Sequence, residues 1–181
     1  GYPSMFWSST YESLSSVYIE LGDFKNAINC AYKLETFERR GEPSIIARIN
    51  RILNVFCKLQ QFADGLKFLE QQYQEHPFLL KSKKTVDFLY KEFILYEMSA
   101  SDNPRAEEIL TDLNMLASQF SPGALAINLV SAANYLRFYN CVSNSKFTEA
   151  EKLIELIPIN KVYAKQLISQ LKADLARVKS G

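Results

Sequence analysis

One histidine, three cysteines and a few acidic pairs are the residues of this chain with any potential for chemistry. His76 stands in a His-Pro step, and a Ser-His-Asp or Cys-His arrangement would have to be built on it. Nothing near it in sequence supplies a nucleophile's setting, and a two-histidine metal site is excluded by the count. Cys30, Cys57 and Cys141 are odd in number and widely spaced, with no CxxC and no Cys/His ligand spacing. That pattern argues against a disulfide framework or a structural zinc, and for reduced thiols packed inside helices of an intracellular protein. Glu107–Glu108, and Glu149 with Glu151, fall early in helical segments, where carboxylates complement the helix dipole. The chain has no GxGxxG, no GxxxxGK[ST] and no nucleophile elbow. These residue types predict no enzymatic activity, no cofactor, no metal and no small-molecule substrate.

The elements that carry these residues are helical. Of 181 residues, 48% are hydrophobic and 23% charged, an ordinary globular balance, and only 6 Gly and 6 Pro interrupt them. Pro3, Pro43, Pro77, Pro104, Pro122 and Pro158 fall between apolar-periodic segments or in their first turn, where a missing N–H costs least. Apolar spacing of three and four predicts helices over 4–21, 24–39, 43–59, 62–75, 78–99, 104–118, 122–143, 147–157 and 160–178. No segment alternates as a strand would. The fold class is all-α. The longest apolar stretch, Ala124 to Tyr139, is broken by Asn128, Ser131, Asn134 and Arg137, so no membrane span is predicted. No signal-peptide pattern opens the chain, and Gly1 with the terminal Ser180-Gly181 is compatible with a piece cut from a longer protein.

The helices pair, and the pairs resemble one another. The segment YESLSSVYIELGDFKNAINCAYKL has Tyr11, Leu14 and Tyr18 on a first helix, Gly22 and Asp23 in a turn, and Phe24, Ala27 and Ala31 on a second. It closely resembles a tetratricopeptide repeat. Small residues at Ala27 and Ser15 let two helices cross tightly, and Gly22 suits a left-handed helix ending. The second unit, INRILNVFCKLQQFADGLKFLEQQYQEHP, keeps the spacing with Phe62 and Gly65, and Pro43 to Pro77 spans 34 residues, that family's repeat length. A third, weaker unit has Ala106 at the crossing, and a fourth has Phe147 and Ala150. The resemblance implies a single domain over 1–181, a right-handed α-solenoid of about four antiparallel hairpins at 4–39, 43–76, 78–118 and 122–157. A last helix at 160–178 is expected to cap it, with Ala164, Leu167, Ile168, Leu171, Leu175 and Val178 as its apolar stripe.

In the resembled family the first helix of each pair lines a concave groove that holds a partner segment. Carried onto this chain, the groove positions are Glu12, Ser16, Ile19 and Glu20 in the first unit and Asn50, Asn54, Cys57 and Lys58 in the second. Lys91 and Leu95 follow in the third, and Tyr135 and Tyr139 in the fourth. Asn50 and Asn54 lie one helical turn apart and suit an extended peptide backbone. Glu12 and Ser16 replace the Lys and Asn with which some members grip a carboxylate tail, which argues against a chaperone-tail clamp. The implied function is a protein-interaction scaffold or adaptor, whose partner is another protein, in a cytoplasmic rather than nuclear setting.

The alternative is an RNA-binding array, since ILNVFCKLQQFADGLKFLEQ is also similar to pentatricopeptide repeats. Basic residues gather at Arg39–Arg40, at Arg48 and Arg51, and at Lys81, Lys83 and Lys84, with Phe78 and Tyr90 nearby. A base code, however, needs the same polar positions in every unit, and these units drift. The net charge of +1, from 21 basic and 20 acidic residues, gives no global attraction to phosphate. Nucleic acid is therefore not the expected partner.

Overall fold

The computed structural model describes residues 2–35, 41–99, 103–119, 125–157 and 162–181, with side chains over 7–34, 41–99, 103–119, 127–157 and 165–181. Among the described residues the chain is all-α: α1 (Tyr2–Glu20), α2 (Phe24–Glu35), α3 (Glu42–Lys58), α4 (Phe62–Glu75), α5 (Val86–Ser99), α6 (Pro104–Ala117), α7 (Leu125–Ser143), α8 (Phe147–Leu156) and α9 (Val162–Ser180). A short 3₁₀ turn, Pro77–Leu80, follows α4.

The span 78–99, expected as one helix, is not continuous. Its first residues form the 3₁₀ turn, and α5 begins only at Val86. Two side chains account for the break. Ser82 Oγ donates to the Leu79 carbonyl at 3.2 Å, and Thr85 Oγ1 accepts from the Phe88 N–H at 3.2 Å, capping α5. Arg39 and Arg40, and the residues joining α6 to α7 and α8 to α9, lie outside the described residues.

Three helix–helix connections share one geometry. After α1, the Gly22 N–H bonds the Ile19 carbonyl at 3.0 Å and the Asp23 N–H bonds that of Tyr18 at 2.8 Å. After α3, Gln60 and Gln61 repeat this on Cys57 and Phe56, at 3.3 and 2.9 Å. After α7, Ser145 and Lys146 repeat it on Val142 and Cys141, at 3.1 and 2.8 Å. Each is a Schellman ending, and each needs a left-handed residue: Gly22 at φ 71°, Gln60 at 57° and Ser145 at 59°. Phenylalanine then opens the next helix as Phe24, Phe62 or Phe147, and three residues on comes a fully packed small residue: Ala27, Gly65 or Ala150. A three-residue link between packed helices forces them antiparallel.

The chain divides into two compact units, 1–83 and 84–181. In the first, α1 packs on α2, α2 on α3, α3 on α4, and α4 on the 3₁₀ turn. Ala27, Ala31, Leu34, Ile49, Leu53 and Leu69 are buried there. Ser15 faces Ala27, donating to its carbonyl at 3.2 Å, so the crossing is closed by a small pair on both sides. In the second unit α5 packs on α6 and α7, α6 on α7, α7 on α8, and α8 on α9. Its core is built on Phe93, Ile109, Leu113, Val130, Phe138 and Leu171.

In α9, Leu171 and Leu175 are buried and Leu167 and Ile168 partly so, but Val178 is 42% exposed. It falls out of the expected stripe although the neighbouring Lys179 still reaches α8, pairing with Glu151 and lying over the Phe147 ring. The side chain of Ala164 lies outside the described residues.

Candidate functional site

The Schellman turns give each first helix a common register. Glu12 and Ser16 stand ten and six residues before Gly22, Asn50 and Asn54 ten and six before Gln60, and Tyr135 and Tyr139 ten and six before Ser145. Residues four apart lie on one helix face. The partner positions assigned from sequence are thus structurally equivalent in three hairpins, two in the first unit and one in the second.

In the first unit this face is polar. Glu12 is exposed and its carboxylate lies 3.7 Å from Arg51 Nε, joining α1 to α3. Ser16 is exposed and spends its hydroxyl on the Glu12 carbonyl one turn back, at 3.1 Å. Asn50 and Asn54 are half-buried, and Lys58 is exposed at the end of α3. In the second unit the face is aromatic. Tyr135 is 40% exposed and its ring centroid lies 4.8 Å from that of Tyr139. The Tyr139 hydroxyl donates to Asp174 Oδ2 of α9 at 2.7 Å. Burial, reinforced by that bond, holds the Tyr139 phenol well above its ordinary range. The same bond, helped by Gln170 and Arg177, holds the Asp174 carboxyl below its own. The last helix therefore occupies one end of this tyrosine pair. Lys91 is largely buried, and its ammonium is bound to Asp87 one turn back at 2.6 Å, so its charge is already partnered.

Of the seven basic residues that suggested nucleic acid, Arg48, Arg51 and Lys84 are engaged within the protein, Lys81 and Lys83 are exposed, and Arg39 and Arg40 lie outside the described residues. Arg48 donates to Gln72 at 3.3 Å and lies 3.5 Å from His76 Nε2. Arg51 pairs with Glu12, and the buried Lys84 pairs with Glu92 at 3.3 Å. Burial lowers the Lys84 pKa, with the Glu92 carboxylate opposing the shift. The three cysteines are free thiols, and burial raises the pKa of Cys30 and Cys141. Such thiols are poor nucleophiles. Among the described residues no group of His, Cys, Asp and Glu is arranged to hold a metal ion, and no helix is long and apolar enough to cross a membrane.

Sequence reasoning missed the buried polar groups of the second unit. Glu97 is 4% exposed and bonds Arg137 at 2.7 Å and Asn140 at 2.8 Å, both on α7. Arg137 also holds Glu107 at 3.0 Å. Glu92 is fully buried between Lys84 and Arg105, and Asn134 donates to Asn114 at 2.7 Å. The sequence carries no distinct signal for Glu92 and Glu97, since α5 also holds the charged Asp87 and Lys91. Comparison with protein-family models, with curated proteins and with solved structures found no match.

Proposed function

We propose that the chain is a protein-interaction scaffold, an adaptor or subunit of a larger intracellular assembly, and that it does no chemistry itself. In this reading the hairpins are tetratricopeptide-like units of a right-handed α-solenoid, capped by α9. A partner protein's extended segment lies against the first-helix faces.

The observation that supports this best is the recurrence of one helix face at one register. Positions ten and six before the turn carry amides in the second hairpin and tyrosines in the fourth. Amides suit a peptide backbone and tyrosines its apolar side chains. Against RNA as the partner stand Arg48, Arg51 and Lys84, whose charges already serve internal contacts.

The test has two stages. Pull-down from lysate with and without nuclease should retain the same proteins. The captured protein is then titrated against Asn54→Ala, which reports the first unit, and Tyr135→Ala, which reports the second. Loss of a bonded group from Asn54 should weaken binding by about 5- to 150-fold, the equivalent of about 1–3 kcal/mol. Capture that vanishes with nuclease, or wild-type affinity in both variants, refutes the reading.

A further inference from the structure

The register that relates the hairpins extends into α9. Arg51 of α3 stands 29 residues after Gly22, and Asp174 of α9 stands 29 after Ser145. Both reach back to the preceding first helix: Arg51 to Glu12 of α1, and Asp174 to Tyr139 of α7. By the same count, Asn50 and Asn54 of α3 correspond to Ala173 and Arg177 of α9. On α3 the helix that follows packs without burying either asparagine. The openness of this face is therefore a property of the hairpin and does not depend on what lies beyond it.

What α9 presents there is an ordered set of donors. Gln170 Nε2 donates to Asp174 Oδ1 at 2.9 Å, Arg177 Nη2 donates to the same oxygen at 3.1 Å, and the Tyr139 hydroxyl takes Oδ2. The Asp174 side chain is 14% exposed and that of Arg177 79%. The carboxylate is thus spent on aiming its neighbours, while most of the five guanidinium N–H groups stay open to water. Tyr135, 40% exposed, lies one turn back from Tyr139. The surrounding charge has one sign: over 165–181, Lys165, Lys172, Arg177 and Lys179 stand against the single acidic side chain of Asp174.

We propose that α9 is a further rung of the partner face, and that the segment bound at the second unit is acidic. A carboxylate side chain of that segment meets the outer edge of Arg177 beside Gln170, and an adjacent apolar residue covers the Tyr135 ring. This rests on the scaffold reading and names the chemistry of its partner there. Asp174 acts as a positioning residue, and the excess of lysine and arginine on α9 draws the acidic segment in.

A randomised library of short acetylated peptides, selected on the whole chain, tests this. Tyr135→Ala, Arg177→Ala and Asn54→Ala are selected in parallel, and their circular dichroism spectra should match wild type. Wild type should enrich Asp or Glu beside an apolar or aromatic residue. Tyr135→Ala should lose the apolar preference and Arg177→Ala the acidic one. In titration, the selected peptide should bind Arg177→Ala about tenfold more weakly, and its Asn or Gln counterpart should bind wild type about tenfold more weakly. The two losses should not add, because both remove one contact. Selection that ignores Arg177, or losses that add, overturns the proposal. The scaffold reading survives that outcome if Tyr135→Ala or Asn54→Ala still weakens binding, and falls with it if neither does.

Discussion

The three Schellman turns make opposite demands on equivalent positions, and that opposition can be measured. Gly22, Gln60 and Ser145 all sit near φ 60° to 70°, a region that costs a residue with a Cβ about 1–2 kcal/mol. A Cβ built on Gly22 meets nothing within 4 Å, so Gly22→Ala suffers only this conformational cost. Part of it is returned, because alanine has less freedom to lose from the unfolded chain, about 0.4–1 kcal/mol. The net expectation is a destabilisation of about 0.5–1 kcal/mol. Gln60→Gly and Ser145→Gly reverse both contributions. Neither side chain is buried, so each variant should be stabilised by about 0.5–1 kcal/mol. For a chain of this size that is about 1–4 °C in Tm. Urea unfolding followed by circular dichroism reads all three variants, and the unfolding slope should stay constant. Destabilisation by Gln60→Gly and Ser145→Gly together would mean that those turns do not hold the left-handed residue, and the common register would fall with them.

Further outcomes follow from packing and charge. Ala27 is fully buried beneath Ser15, so Ala27→Leu should overfill the α1–α2 crossing and cost about 1–3 kcal/mol in denaturant unfolding. Glu97→Ala leaves Arg137 and Asn140 facing an emptied site and should cost about 3–5 kcal/mol. Glu97→Leu with Arg137→Met should recover most of that, since no buried charge is left alone. The Asp174 carboxyl has a folded pKa below its ordinary 3.8, so its stabilising contribution is complete above that value and is lost as pH falls through the folded one. Tyr139→Phe removes the largest cause of that depression. Acid unfolding curves should therefore show a smaller loss of stability below about pH 4 in the variant than in wild type.

How far the fold is legible depends on whether a feature is written in residue types or in partners. Gly22 reads directly as a left-handed helix ending because only glycine adopts that conformation freely. Gln60 and Ser145 do the same work without a glycine, and only the Phe-x-x-Ala or Phe-x-x-Gly step after each marks the turn. The small residues Ala27, Gly65, Ala106 and Ala150 are legible because a helix crossing tolerates nothing larger. The break at 81–85 is hidden because its five polar residues include no glycine or proline, while Thr85 and Ser82 redirect the backbone through single hydrogen bonds. Glu92 and Glu97 are hidden for a different reason. A glutamate bound by an arginine from another helix has the same sequence signature as one bound by water.

The register also separates what the first helices share from what distinguishes them. Eight and five residues before the turn, α3 carries the buried Ile52 and Val55, while α7 carries Arg137 and Asn140, which reach Glu97 in the preceding hairpin. An apolar pair needs only an apolar surface, so the α2–α3 contact tolerates small shifts of one helix along the other. The α5–α7 contact is tied to Glu97 by two bonds near 2.8 Å, and a shift of a single residue would leave a buried carboxylate unpaired. Polar pairing at that level therefore fixes one alignment of α5 and α7 where apolar packing would accept several.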